Sequence, residues 1–260
     1  MPEFLYRASI VFMDPHIRKD DEQKNYNTQN FMVMPKLYQR LFFVILLLVS
    51  VPVNAGKGGF SAEYLHNIEL RFGSAAKQRV SDWQVLIKSE QAAHDSEWSL
   101  IHTVNNFFNR MRFISDKKHW QREDYWATPV EFLATNGGDC EDFSIAKYFT
   151  LLEIGIPDER MRITYVKAIR LNQAHMVLAY YETPESEPLI LDNLTSRIKS
   201  ASQRNDLLPI YSFNGSNLWM SKEHGQGRRV AGGSQRINLW RDLNIRMQKE
   251  RNLGSSFTKK

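Results

Sequence analysis

At 260 residues, 42% of them hydrophobic and 12% aromatic, the chain can hold one large domain or two small ones and is too apolar to be disordered. The formal charge of +5 suggests a basic surface, but Lys and Arg are dispersed rather than gathered into a block with aromatics between them, which argues against a nucleic-acid partner. A single cysteine excludes an internal disulfide.

In chain order, the first feature is "KLYQRLFFVILLLVSVPVNAGKGG", with Lys36 and Arg40, an apolar run at 41–51, and Val53-Asn54-Ala55 before a glycine-rich start. That is the order of a secretory signal: a positive end, an apolar segment of about 7 to 15 residues, and small residues around the cut. The run falls short of the roughly 20 apolar residues that a transmembrane helix needs, so no stable membrane span is expected after processing. A buried core helix or an uncleaved anchor is the alternative. Met32 and Met34 stand just ahead of the signal and are alternative translation starts. Residues 1–55 are therefore set apart as extension and signal. Residues 56–245 read as one domain, because no repeat or long Pro/Gly/Ser linker divides them, and 246–260 read as a polar tail, the stretch after Arg241 being a polar helix end that runs into disorder.

Export sharpens the meaning of the lone cysteine, since an oxidising compartment normally favours paired thiols. An unpaired exported thiol is either a buried bystander or a reactive group, and composition leaves both open.

The first half of the domain reads as helical. "AEYLHNIELRFG" ends at Gly73, "AAKQRVSDWQVLIKSEQAA" follows, and "DSEWSLIHTVNNFFNRMRF" sets Trp98, Ile101, Val104 or Asn105, and Phe108 at spacings of three and four, a core stripe. "DYWATPVEFLATNGG" predicts a loop with a short helix over 129–133, closed by the turn-forming Asn136-Gly137-Gly138. Next comes "GGDCEDFSIAKY", which holds the cysteine between three carboxylates. Asp139 can cap a helix with Asp142 three residues on, and Ile145, Tyr148, Phe149 and Leu152 give its apolar stripe. Gly155 and Pro157 end it, so Cys140 sits in the first turn of a largely buried helix.

The second half changes period. "RMRITYVKAI", "AHMVLAYYE" and "PLILDNL" are short runs rich in β-branched and aromatic residues, separated by turn-like segments. If Leu178 faces Leu189 across a hairpin, antiparallel pairing sets His175 directly opposite Asp192, on one face and at one end of the sheet. Cys140, His175 and Asp192 then make a Cys-His-Asp triad: the thiolate attacks an acyl carbon, the imidazole takes and returns the proton, and the carboxylate fixes the tautomer. The helix N-terminus favours the thiolate. Singly none of these is specific, and a histidine alone more often reads as a semi-buried bystander.

Together, "WATPVEFLATNGGDCEDFSIAKYFTLLEIGI", "AHMVLAYY" and "LILDNL" resemble the bacterial transglutaminase-like cysteine proteinases, and more closely the LapG-type periplasmic adhesin proteases, over about residues 60–220. The resemblance implies an α+β fold, a papain-like or transglutaminase-like core with N-terminal helices packed on an antiparallel sheet. It implies Cys140 as nucleophile, His175 as base and Asp192 as orienting acid. It also implies a periplasmic endopeptidase that cuts a large surface adhesin near its N-terminus at a dialanine-containing site, releasing cells from a biofilm. The regulatory partner implied is an inner-membrane cyclic-di-GMP receptor.

The acids beside the thiol pose an electrostatic problem. One carboxylate about 6 Å from a thiolate, at an effective dielectric of about 20, costs roughly 3 kcal/mol, or about two pKa units. A helix terminus offsets only about 0.3 to 2 kcal/mol. Asp139, Glu141 and Asp142 offer hard oxygens suited to calcium, with backbone carbonyls of a nearby loop expected to complete the shell. The other reading is that Asp139 caps the helix and Glu141 and Asp142 favour its positive end. The residues alone leave both open; the resemblance implies Ca2+ bound through these positions. The spacing fits no EF-hand, and a lone cysteine with scattered histidines fits no closed zinc site.

The backbone N–H of Cys140 is an expected oxyanion donor, and Trp126 is a candidate second contact or pocket wall, with core packing an equal alternative; Trp219 shares that ambiguity. Two rival functions remain. One passes the acyl group to an amine, as transglutaminases do, and the other is a calcium-binding interaction module with an inert thiol.

Overall fold

A computed structural model describes residues 59–93, 95–221 and 227–255. The extension and signal-like run, and residues 256–260, lie outside the described residues. No helix among the described residues is long and apolar enough to cross a membrane.

Among the described residues, three helices come first. In α1 (Ala62–Phe72) the Ser61 hydroxyl accepts the N–H of Tyr64, and Gly73 closes the helix at φ 88°. Helix α2 (Ser74–Ala92) follows at once, and α3 (Glu97–Phe108) is capped by Ser96. The expected stripe on α3 is present in Ile101, Val104, Asn105 and Phe108, all fully buried. Trp98 departs from it: its side chain is 52% exposed and tilts against the ring of His102. Burial on α3 begins at Leu100, so the periodicity is right but its first member lies outside the core.

Two-residue strands β1 (Arg112–Phe113) and β2 (Gly137–Gly138) pair in parallel. Between them run α4 (Asp116–His119), a loop, and α5 (Pro129–Ala134), which has Pro129 in its first turn and a Thr128/Glu131 capping box. Arg79 of α2 donates to the carbonyls of Leu133 and Ala134 at 2.6 and 2.9 Å, a cation placed where helix carbonyls end unpaired. Both glycines of β2 are required. Gly137 adopts φ +150° and a Cβ there would fall 2.1 Å from the carbonyl oxygen of Arg112, while one on Gly138 would fall 2.0 Å from Asp142 Oδ2.

Helix α6 (Cys140–Ile154) starts with the Asp139/Asp142 capping box that the spacing predicts and stops at Gly155. It is buried continuously from Asp142 to Leu151, so the expected stripe is part of a helix enclosed on most sides. Trp83 Nε1 of α2 donates to Thr150 Oγ1 at 2.8 Å, tying the two helices.

The sheet is antiparallel throughout, in the order β6-β5-β4-β3-β7-β8-β9. Its strands are β3 (Met161–Ala168), β4 (Gln173–Tyr180), β5 (Leu189–Leu191), β6 (Lys199–Ser200), β7 (Leu207–Phe213), β8 (Leu218–Met220) and β9 (Arg228–Arg229). Met161, Ile163, Met176, Leu178 and Phe213 join the core under the helices, and Val166, Val177, Ala179 and Ile190 form a smaller cluster on the other face. This is the expected α+β arrangement of helices against an antiparallel sheet.

One local expectation needs correction. Leu178 pairs with Leu191, not Leu189, so the β4/β5 register is shifted by two residues and His175 is not directly opposite Asp192. A slip of two preserves the face of every side chain, and the diagonal neighbour remains within reach of a long side chain. Residues 246–255, read as a polar helix end, lie in α7 (Asn238–Ser255), which buries Trp240, Leu243 and Met247 at spacings of three and four.

Candidate active site

Cys140 opens α6, half-buried, where the first N–H groups of a helix have no intrahelical partner. The backbone of Met176, the neighbour of His175, acts on the sulfur and draws the thiol's pKa down slightly. The thiol in turn lies 3.1 Å from Glu141 Oε2, to which it donates. Burial, and then the charges of Glu141 and Asp139, push the Cys140 thiol well above its ordinary range.

His175 and Asp192 are buried and joined, with Nε2 of the imidazole 2.8 Å from Asp192 Oδ1. The N–H of Leu194 also donates to Oδ1 at 2.9 Å, and Arg204 Nη2 donates to Oδ2 at 2.8 Å. Burial alone would raise the Asp192 carboxyl, but the bond and charge of His175, helped by Leu194 and Arg204, hold it at about 2. Asp192 is therefore an anion, and an anion at Nε2 selects the Nε2–H tautomer, leaving Nδ1 as the ring's acceptor.

The structure thus joins His175 to Asp192 directly and packs α6, which Cys140 opens, against β4, which carries His175. It also gathers Asp139, Glu141 and Asp142 with two acids that sequence reasoning missed. Asp116, Asp124 and Glu141 each place an oxygen within 4.8 Å of the others, as do Asp116, Asp139 and Asp142. Side chains from α4 and the following loop thus join the expected acids. Asp142 serves the cluster and the helix cap together, accepting the N–H of Ala127 at 2.7 Å and of Asp139 at 3.3 Å.

Burial raises these acids, and their mutual charge raises them further. Asp116 is pushed up to about 7 by burial, then by Asp139 and Asp124. Glu141 also reaches about 7, chiefly by burial, and Asp139 about 10 by burial and the charge of Glu141. Buried Oδ1 atoms of Asp116 and Asp139 accept no hydrogen bond. Hard oxygens, crowded negative charge and unsatisfied acceptors fit a divalent cation of the calcium type. A pH signature follows for the metal-free protein. The folded state holds protons that the unfolded chain releases near pH 4, so stability should fall as pH rises through about 7 and on towards about 10. In chelator, the midpoint of thermal unfolding should drop by at least about 3 °C between pH 5 and pH 8, against little change in saturating calcium. A flat profile in chelator would contradict the crowding of these acids.

Trp126 is buried, stacked on Phe213 with ring centroids 5.6 Å apart, and its carbonyl accepts from Arg246 of α7. It also borders a cleft of about 350 Å³ between the loop and α7. Thr128 Oγ1 donates to Glu250 Oε1 of α7 at 2.7 Å, so the last helix braces the loop that carries Asp124. Trp219 on β8 is half-buried, with the Arg162 guanidinium 4.1 Å from its ring centre, a packing contact.

A family profile described as bacterial transglutaminase-like cysteine proteinase, BTLCP, matches residues 74–225. No curated protein matches the chain. Solved structures of Legionella pneumophila LapG are similar at 43% identity. The EGTA-treated form covers 72% of this chain and 97% of its own with a TM-score of 0.62. The calcium-bound form covers 72% and 99% with a TM-score of 0.61.

Proposed function

Because the chain belongs to the bacterial transglutaminase-like cysteine proteinases, we propose that it is a calcium-dependent cysteine endopeptidase working through Cys140, His175 and Asp192. The observation that carries this reading is the buried His175 imidazole fixed by the Asp192 carboxylate, on the strand that packs against the helix Cys140 opens.

With Nε2–H held by Asp192, Nδ1 of His175 takes the thiol proton as the sulfur attacks the substrate carbonyl carbon. The developing oxyanion is met by the N–H of Cys140 at the start of α6. The imidazolium then gives its proton to the departing amine, leaving a thioester. Water, deprotonated by the same ring, attacks that thioester, and Cys140 recovers its proton. Asp116, Asp124, Asp139, Glu141 and Asp142 would hold the cation, whose charge offsets the repulsion between these acids and the thiolate.

The substrate in this reading is the N-terminal region of a large surface adhesin, cut at a dialanine-containing site after export of the enzyme to the periplasm. A cyclic-di-GMP receptor in the inner membrane would control access, and cleavage would disperse the biofilm. The resemblance of residues 60–220 to the adhesin proteases supports this choice.

The test is cleavage of a purified adhesin N-terminal fragment, with its dialanine intact or replaced. EGTA should slow cleavage by about 100-fold, the two pKa units of one uncompensated carboxylate, and added calcium should restore it. Undiminished turnover in excess EGTA would refute the metal's role. Cleavage that ignores loss of the dialanine would refute the substrate site. Thioester transfer to a labelled amine in preference to water would make the protein an acyltransferase.

A further inference from the structure

The hydrogen-bonded chain that begins at His175 does not stop at Asp192. Each carboxylate oxygen of Asp192 has its own partners: Oδ1 takes the imidazole at 2.8 Å and the N–H of Leu194 at 2.9 Å, and Oδ2 takes Arg204 Nη2 at 2.8 Å. Arg204 is itself pinned, since Nε and Nη2 reach the two oxygens of Asp206 at 3.0 and 2.9 Å. Asp192 is 1% exposed and Arg204 6%, so water cannot replace this partner.

We infer that Arg204 is a positioning residue for the hydrolysis, locking the carboxylate of Asp192 in the orientation that keeps the His175 ring aimed. The inference rests on the triad reading above. Oδ1 alone would let the carboxylate turn about its bond to Cβ, and each turn would carry the imidazole's anchor with it. Nη2 of Arg204, itself held by the guanidinium's fork on Asp206, fixes that rotation and keeps a compensating positive charge at a buried anion. Lys147 of α6, also buried, adds positive charge on the helix side, but it makes no hydrogen bond to Asp192 that would set an angle. His175, Arg204, Lys147 and Asp206 are the charged or titratable groups acting around Asp192.

The experiment compares Arg204→Met and Arg204→Lys, each in the wild-type and Asp192→Asn backgrounds, with saturating calcium and a dialanine-containing peptide as probe. Arg204→Met should lower kcat by about 10- to 100-fold, the usual cost of losing such an outer partner, and leave KM within about 2-fold. Arg204→Lys, which keeps the charge but loses the fork, should fall between the two. In the Asp192→Asn background, Arg204→Met should change kcat by less than about 2-fold, because the group it acts through is gone. Imidazole nitrogen spectra of the calcium-bound protein should show His175 as the Nε2–H tautomer, becoming mixed in Arg204→Met. If Arg204→Met does not fold, Arg204→Lys carries the same comparison. Wild-type kcat in both Arg204 variants, or an equal loss in both backgrounds, overturns the inference while leaving the triad standing. Wild-type kcat in Asp192→Asn alone overturns the triad and the inference with it.

Discussion

Turnover by the Cys140→Ala protein is expected to fall by at least about 10⁵-fold, to the background that binding and dipoles alone can supply. The side chain lost is small and half-buried, alanine is the best helix former, and the Asp139/Asp142 cap does not depend on the sulfur. The fold and the acidic cluster should therefore survive, with calcium affinity equal to or tighter than that of the parent. Calorimetric titration with calcium beside a cleavage assay tests both halves. Equal cleavage by the variant would leave the protein a calcium-binding module with an inert thiol. Iodoacetamide supplies an independent check on the parent, since the single cysteine means that one added mass can only be Cys140.

Asp192→Asn is expected to cut kcat by about 10³- to 10⁴-fold. An amide at this position can present its NH2 to Nε2, which selects the opposite tautomer and puts the proton on the nitrogen that has to accept one. Arg204 loses its bond to a carboxylate at Oδ2 but keeps Asp206, so the buried guanidinium is not stranded. Destabilisation of about 1 to 3 kcal/mol is the expected cost, a fall of a few degrees in the unfolding midpoint, with the fold retained. Wild-type rates in a correctly folded variant would show that another acid orients the ring.

What the sequence discloses of this site follows from which parts of it repeat. Helix α6 announces itself through Asp139, Asp142 and Gly155, because caps and terminators are local signals. The same face for His175 and Asp192 is legible because strands alternate by two, but the register is not, since a slip of two changes no residue's face. Asp116 and Asp124 come from a loop and a four-residue helix with no period to read, and two acids in "SDKKHWQRED" look like ordinary solvated charge. Arg204 is hidden in the same way within "SQRNDL". In α7 the polar residues outnumber Trp240, Leu243 and Met247 so heavily that composition discloses a polar helix end and conceals the buried stripe. Trp98 shows the converse, a correct period extended one turn beyond the core.

The bracing of the 122–128 loop by α7 has a consequence for how the enzyme comes into being. Arg246 grips the carbonyl of Trp126 and the carboxylate of Glu131, and Glu250 takes the hydroxyl of Thr128, across more than a hundred positions of chain. A polypeptide halted during synthesis before these residues would already contain the thiol, the imidazole and every acid, yet the loop bearing Asp124 would lack its strut. The acidic cluster would then gain its brace only once α7 has docked, long after its own residues have left the ribosome.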